Sequence, residues 1–126
     1  MILGGFGLLL ALTVVAARYQ QYSTPPDDEW FQLCVIEEEG PVLVKFGAEW
    51  CGPCRQMHHS LAEIKSRRLS GLKIVEVDID KKPELARHYS ISSIPRTMLF
   101  VNGKYTSAQQ GSMSADEIEA WVRPYL

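Results

Sequence analysis

Hydrophobic and polar positions divide this chain into three stretches of different character. Residues 1–17 carry no charged side chain and are dominated by Leu, Val, Ala and Gly. Residues 18–27 are polar, with Gln20, Gln21, Ser23 and Thr24 ahead of the pair Pro25-Pro26, which resists regular pairing. From Asp28 onward short apolar runs alternate with helical periodicity up to Leu126. The pattern predicts an apolar segment at 1–17, a polar tether at 18–27 and one folded domain at 28–126.

Inside the domain the periods resolve into elements. Asp27 or Asp28 caps a first helix with Trp30, Phe31, Cys34 and Val35 on one face, and Gly40-Pro41 ends it. The run 42–46 reads as a buried strand. A helix over about 51–67 follows, with Met57, Leu61 and Ile64 in its apolar stripe, and then a strand at 73–79. This is a βαβ unit, which predicts parallel strands joined by a right-handed crossover. A short helix is expected from Pro83 to about Tyr89. A strand at 97–101 turns at Asn102-Gly103 into a strand at 104–109, and Ser114 to Glu117 form a capping box for a last helix carrying Ile118, Trp121 and Val122. The order predicts an α/β fold, a central mixed sheet flanked by helices on both faces.

Charge narrows the partners. The net charge is −2 and no basic run stands out, so no nucleic-acid footprint is present. As a helix, residues 1–17 reach about 25 Å, a little short of a ~30 Å hydrocarbon core, with Tyr19 and Tyr22 placed to extend into the interfacial layer. The segment is read as a membrane anchor, or alternatively as a signal peptide cleaved after Val15-Ala16-Ala17. The missing basic n-region favours the anchor.

Three cysteines are too few for a disulfide scaffold, and Cys34 has no obvious partner. Cys51 and Cys54 stand at C-x-x-C spacing where a strand gives way to a helix. Cys51 at a helix N-terminus is favoured as thiolate by unpaired N–H groups and the helix dipole. Cys54, one turn inside, lies within reach of a mixed disulfide formed at Cys51, and Pro53 fits the first turn. A structural metal site with Cys34 or His58 lacks a second pair at ligand spacing, so no metal and no separate cofactor are expected.

The run Ala48-Glu49-Trp50-Cys51-Gly52-Pro53-Cys54, with Val77-Asp78-Ile79-Asp80, Ser93-Ile94-Pro95 and Gly111 in order behind it, resembles the thioredoxin family over residues 28–126. The resemblance implies the thioredoxin fold and a protein-disulfide reductase cycling between a dithiol and a Cys51–Cys54 disulfide. It implies protein disulfides as substrates, an upstream reductant, a monomer, and, from Gly52-Pro53, a potential of about −270 mV. An extracytoplasmic oxidase or isomerase, or a binding module with incidental redox activity, are the alternatives. The resemblance makes Ile94-Pro95 the cis-proline facing the disulfide, with Trp50 and Gly111 bordering the same substrate groove. Because a cytosolic thioredoxin needs no membrane segment, the domain is expected outside the cytoplasm. Secretion after cleavage or a cytoplasm-facing domain are the other possibilities.

This chain departs from the family at two charged residues inside apolar strands. Most thioredoxins carry aspartate at Lys45 and many carry lysine at Glu76, so the signs look exchanged. The two are expected to pair and to support the active site, Glu76 assuming the proton-moving role of the family's aspartate. His59 replaces a helix-kinking proline, which predicts a straighter helix. With His58 it is read as a solvated surface pair. Arg96 stands where threonine is common, and His88 receives no role.

Overall fold

Strand β1 (Pro41–Gly47) is the axis of the fold, because all seven of its residues are buried. The structure is a computed structural model, and it describes residues 3–126. Strand β2 (Lys73–Asp78) pairs parallel to β1, with Lys45 opposite Glu76 and Gly47 opposite Asp78. Strand β3 (Arg96–Val101) pairs antiparallel on the other side, and β4 (Lys104–Gln110) closes the edge, in the order β2-β1-β3-β4.

Alternation along β1 sends side chains to two separate cores. Val42, Val44 and Phe46 join Phe31, Val35, Leu85, Tyr89 and Phe100 on one face of the sheet. That face is covered by α2 (Glu29–Phe31) and α4 (Pro83–His88). Leu43 faces the other way, onto α3 (Gly52–Arg67) and α5 (Ala115–Val122), through Met57, Leu61, Ile64 and Ile118. Ser114 caps α5 in the expected box with Glu117. The mixed sheet between two helical layers is the expected fold class, and α3 runs unbroken past His59.

Two elements differ from expectation. Asp28 does cap the first helix of the domain, accepting from the Phe31 N–H at 2.9 Å, but after Phe31 the turn widens into a π-helix (Gln32–Ile36). The Glu37 N–H reaches back to the Gln32 carbonyl. Phe31 and Val35 are buried, whereas Trp30 lies 39% exposed with the Lys82 ammonium 5.0 Å from its ring centre. The second difference is α1 (Leu3–Ser23), which carries helix well into the segment read as a tether. Its polar residues are adequate helix formers, and Pro25-Pro26 ends the run.

Tyr22 then packs on Tyr105 and Tyr89, with ring centres 4.7 and 6.1 Å apart, and the Thr24 carbonyl meets His88 Nε2 at 2.8 Å. The end of α1 therefore docks near the β3–β4 turn, the end of the sheet away from Gly47. Leu8, Leu9, Leu12 and Val15 of α1 are each at least 60% exposed. Among the described residues, no helix is long and apolar enough to cross a membrane.

Candidate active site

The site grows from the C-terminal end of β1, where the chain leaves Gly47 and enters α3 at Cys51. Cys51 is the N-cap of α3, with extended backbone, and its Sγ accepts the Cys54 N–H at 3.2 Å. The two sulfurs are joined as a disulfide, with Cα atoms 5.2 Å apart. Cys54 is 1% exposed and Cys51 6%. Pro53 lies in the first turn, where no intrahelical bond needs its N–H. Once reduced, a sulfur at the helix N-terminus gains from the Cys54 N–H and the helix dipole as thiolate.

On one flank of the disulfide the groups nearest Cys51 are main-chain. The Ile94 carbonyl lies 3.9 Å from Cys51 Sγ, and the Ile94–Pro95 peptide is cis. The Pro95 carbonyl accepts the Gly111 N–H at 2.8 Å. Gly111 needs its glycine because its φ is +87°, a conformation that side chains disfavour. Trp50 is 67% exposed and donates its indole N–H to Asp80 at 2.8 Å, so its ring stands fixed in solvent beside Cys51. Arg96 bonds Gln110 at 3.3 Å. Cys34 is half-buried on the far face of the sheet, away from the disulfide, and carries a free thiol.

The other flank is charged. Lys45 is buried, and its Nζ donates to Glu76 Oε1 at 3.1 Å, so the exchanged pair does meet. Glu76 also binds His58 Nδ1, at 2.8 and 3.0 Å through its two oxygens. Burial pushes the Glu76 carboxyl up, but the hydrogen bonds from His58 and Lys45 outweigh it and hold the group below the ordinary carboxylate range. His58 is therefore no plain surface histidine. Local sequence shows only its solvated face, because the residue that binds it lies on another element, 18 positions away.

Lys45, Glu76, His58 and Cys54 line one cavity of about 410 Å³. Gly47 keeps it open. A Cβ there would lie 2.9 Å from Lys45 Cε and 3.2 Å from Cys54 Sγ, so any side chain would crowd both. Local sequence marks neither the spacing role of Gly47 nor the His58 contact, and it shows Asp80 only as part of a motif. Only His58 left a signal, its i+4 spacing from Cys54, which puts both on one helix face. Among the described residues, no group of three or more His, Cys, Asp or Glu side chains is arranged to hold a metal ion.

Known proteins resemble this chain in sequence over most of its length. A family model described as thioredoxin matches residues 23–124. The thioredoxin of Rickettsia bellii is 37% identical over 95 residues, covering 75% of this chain and 90% of its own. That of Griffithsia pacifica is 42% identical over 86 residues, covering 68% and 79%. That of Acidithiobacillus ferridurans is 35% identical over 99 residues, covering 79% and 92%. The family match starts at the last residue of α1 and takes in the whole sheet and both cysteines. With a C-x-x-C disulfide at a helix N-terminus and relatives alike over most of their length, this chain belongs to the thioredoxin family and is a thiol–disulfide oxidoreductase of the protein-disulfide reductase type.

Proposed function

We propose that the protein is a membrane-associated reductase of protein disulfides whose domain works outside the cytoplasm. One observation carries the chemistry: Cys51 Sγ, at the N-cap of α3, accepts the Cys54 N–H while the Cys54 side chain is 1% exposed. The Cys51 thiolate attacks a substrate disulfide, forming a mixed disulfide and releasing one substrate thiolate. Cys54 then loses its proton and attacks Cys51 Sγ, which releases the second substrate thiolate. The electron pair ends on the substrate, and an upstream reductant returns a pair to Cys51–Cys54. No bound cofactor is needed, because the dithiol itself carries the electrons.

The groove of Trp50, Ile94, Pro95 and Gly111 receives the substrate chain, with main-chain groups beside Cys51 suited to an extended peptide. Lys45 and Glu76 support the reaction from behind, as a paired charge set next to the resolving cysteine. Insulin reduction with dithiothreitol tests the cycle. Wild type accelerates turbidity and Cys51→Ser does not; equal rates would remove the reductase reading.

Membrane association is supported by α1, which exposes leucine and valine side chains where a water-soluble helix shows a polar face. Residues 1–17 hold the protein to lipid. Flotation with phospholipid vesicles is the measurement: the full chain should float and a chain lacking 1–17 should stay in solution. Recovery of a mature N-terminus beyond Ala17 from cells would replace the anchor with a cleaved signal. Protease access to the domain in intact cells would assign its side of the membrane.

A further inference from the structure

We propose that His58 accepts the proton of Cys54 during resolution of the mixed disulfide, its ring held in the accepting tautomer by Glu76. The proposal rests on the dithiol cycle above and adds the destination of the proton.

Geometry selects His58. It follows Cys54 by four residues on α3, one turn along the same face, and both line the cavity kept open by Gly47. That cavity has room and polar partners for water, so a proton can pass from sulfur to imidazole without direct contact. His58 acts through that water, which makes it a positioning residue for the proton rather than one of the reacting pair.

The tautomer follows from the hydrogen bonds. An ionised carboxylate only accepts, so the ring nitrogen that meets both oxygens of Glu76 must carry the hydrogen. Nε2 is then the accepting nitrogen. Glu76 is a poor terminal acceptor, because Lys45 and His58 both stabilise it as the anion. Lys45, as an ammonium, has no lone pair for a proton, although its positive charge beside the cavity favours a thiolate at Cys54. Imidazole alone in this set both holds a hydrogen bond at one nitrogen and takes a proton at the other.

The step balances. The Cys54 S–H proton passes through water to Nε2 of His58, the Cys54–Cys51 sulfur bond forms, and the bond from Cys51 to the substrate sulfur breaks. The substrate leaves as thiolate, and the imidazolium returns its proton to solvent, to which His58 is open. Other charged groups face the same cavity: Lys45 from β1, Glu76 and Asp78 from β2, Glu49 from the loop before α3, and Arg55 and His59 from α3. The pH profile must therefore be read against a variant at His58 itself.

The test uses the reduced full chain in detergent, with Cys34→Ser to silence the third thiol. 5,5′-Dithiobis(2-nitrobenzoate) releases one coloured thiolate when Cys51 attacks and a second when Cys54 resolves. His58→Asn keeps an N–H donor toward Glu76 but takes up no proton. The first phase should stay within about twofold of wild type, while the second slows about tenfold or more near neutral pH. The deficit should vanish above about pH 9, where a thiol ionises unaided. A second phase unchanged in rate and pH profile overturns the proposal, as does equal slowing of both phases at every pH. His58→Gln, screened by thermal melting, replaces His58→Asn if the latter does not fold. Absence of the first phase in the His58-containing protein would instead strike the dithiol cycle.

Discussion

The two flanks of the Cys51–Cys54 disulfide are built from different materials. Beside Cys51 the nearest hydrogen-bonding groups are main-chain, the Ile94 and Pro95 carbonyls and the Gly111 N–H, joined by the Trp50–Asp80 pair and by the Gln110 side chain that donates to the Pro95 carbonyl. Behind Cys54 they are side chains, Lys45, Glu76 and His58, around a cavity. A main-chain surface keeps its chemistry when its side chains vary. A side-chain cluster changes charge with every substitution. The Lys45–Glu76 pair, whose signs the sequence resemblance reads as exchanged, stands on this charged flank beside Cys54.

The contrast can be broken most severely at its centre. Cys51→Ser should reduce insulin no faster than dithiothreitol alone, whereas Cys54→Ser should accumulate a mixed disulfide visible on non-reducing gels. On the charged flank, Lys45→Ala should destabilise the fold by roughly 2–3 kcal/mol in urea titrations, less than for a fully buried pair because the Glu76 side chain keeps 27% exposure. Combining it with Glu76→Ala should restore part of that loss, and strictly additive losses would show the pair to be uncoupled.

Gly47→Ala should cost about 1–2 kcal/mol by crowding Lys45 and Cys54, with the larger effect on the second kinetic phase. On the groove flank, Asp80→Ala removes the acceptor of the exposed Trp50 indole N–H. We expect a loss of about 0.5–1 kcal/mol, read as a KM for a protein substrate raised about twofold to fivefold with kcat nearly unchanged.

The smallest effect is acid sensitivity. Glu76 and Asp28 have folded-state pKa values below their ordinary ones. Each overcomes an upward push from burial: Glu76 through His58 and Lys45, Asp28 through the Phe31 N–H and Lys82. A depressed carboxylate adds stability above its unfolded pKa and loses it as pH falls through the folded one. Urea midpoints should therefore fall below about pH 4.5, and less steeply in Glu76→Gln. An identical pH slope in wild type and Glu76→Gln would remove Glu76 from the acid response.

Much of the fold was legible because its signals are local. The apolar run around Val44 marked a strand, Asn102-Gly103 a hairpin, and Ser114 with Glu117 a capped helix; the structure holds all three. The extension of α1 to Ser23 was not legible for the opposite reason. Its polar residues suit a helix or a tether equally, and the docking of Tyr22 on Tyr89 and Tyr105 comes from distant parts of the chain. Trp30 stands outside the core, 39% exposed beneath the Lys82 ammonium, a contact made by a residue 52 positions away.

The same division runs through the site. By itself the sequence determined that Cys51 and Cys54 flank one turn at a helix start, and that Lys45 and Glu76 lie on neighbouring strands. Spacing and period are properties of consecutive residues. Only the tertiary structure decided that Lys45 and Glu76 stand in direct register, and that His58 closes on the same carboxylate. That closure depends on how α3 is rotated over the sheet. Its buried stripe of Met57, Leu61 and Ile64 sets the rotation by packing against Leu43 and Leu99. A one-residue change in that packing would turn His58 by about 100°, away from Glu76, while leaving the C-x-x-C motif intact.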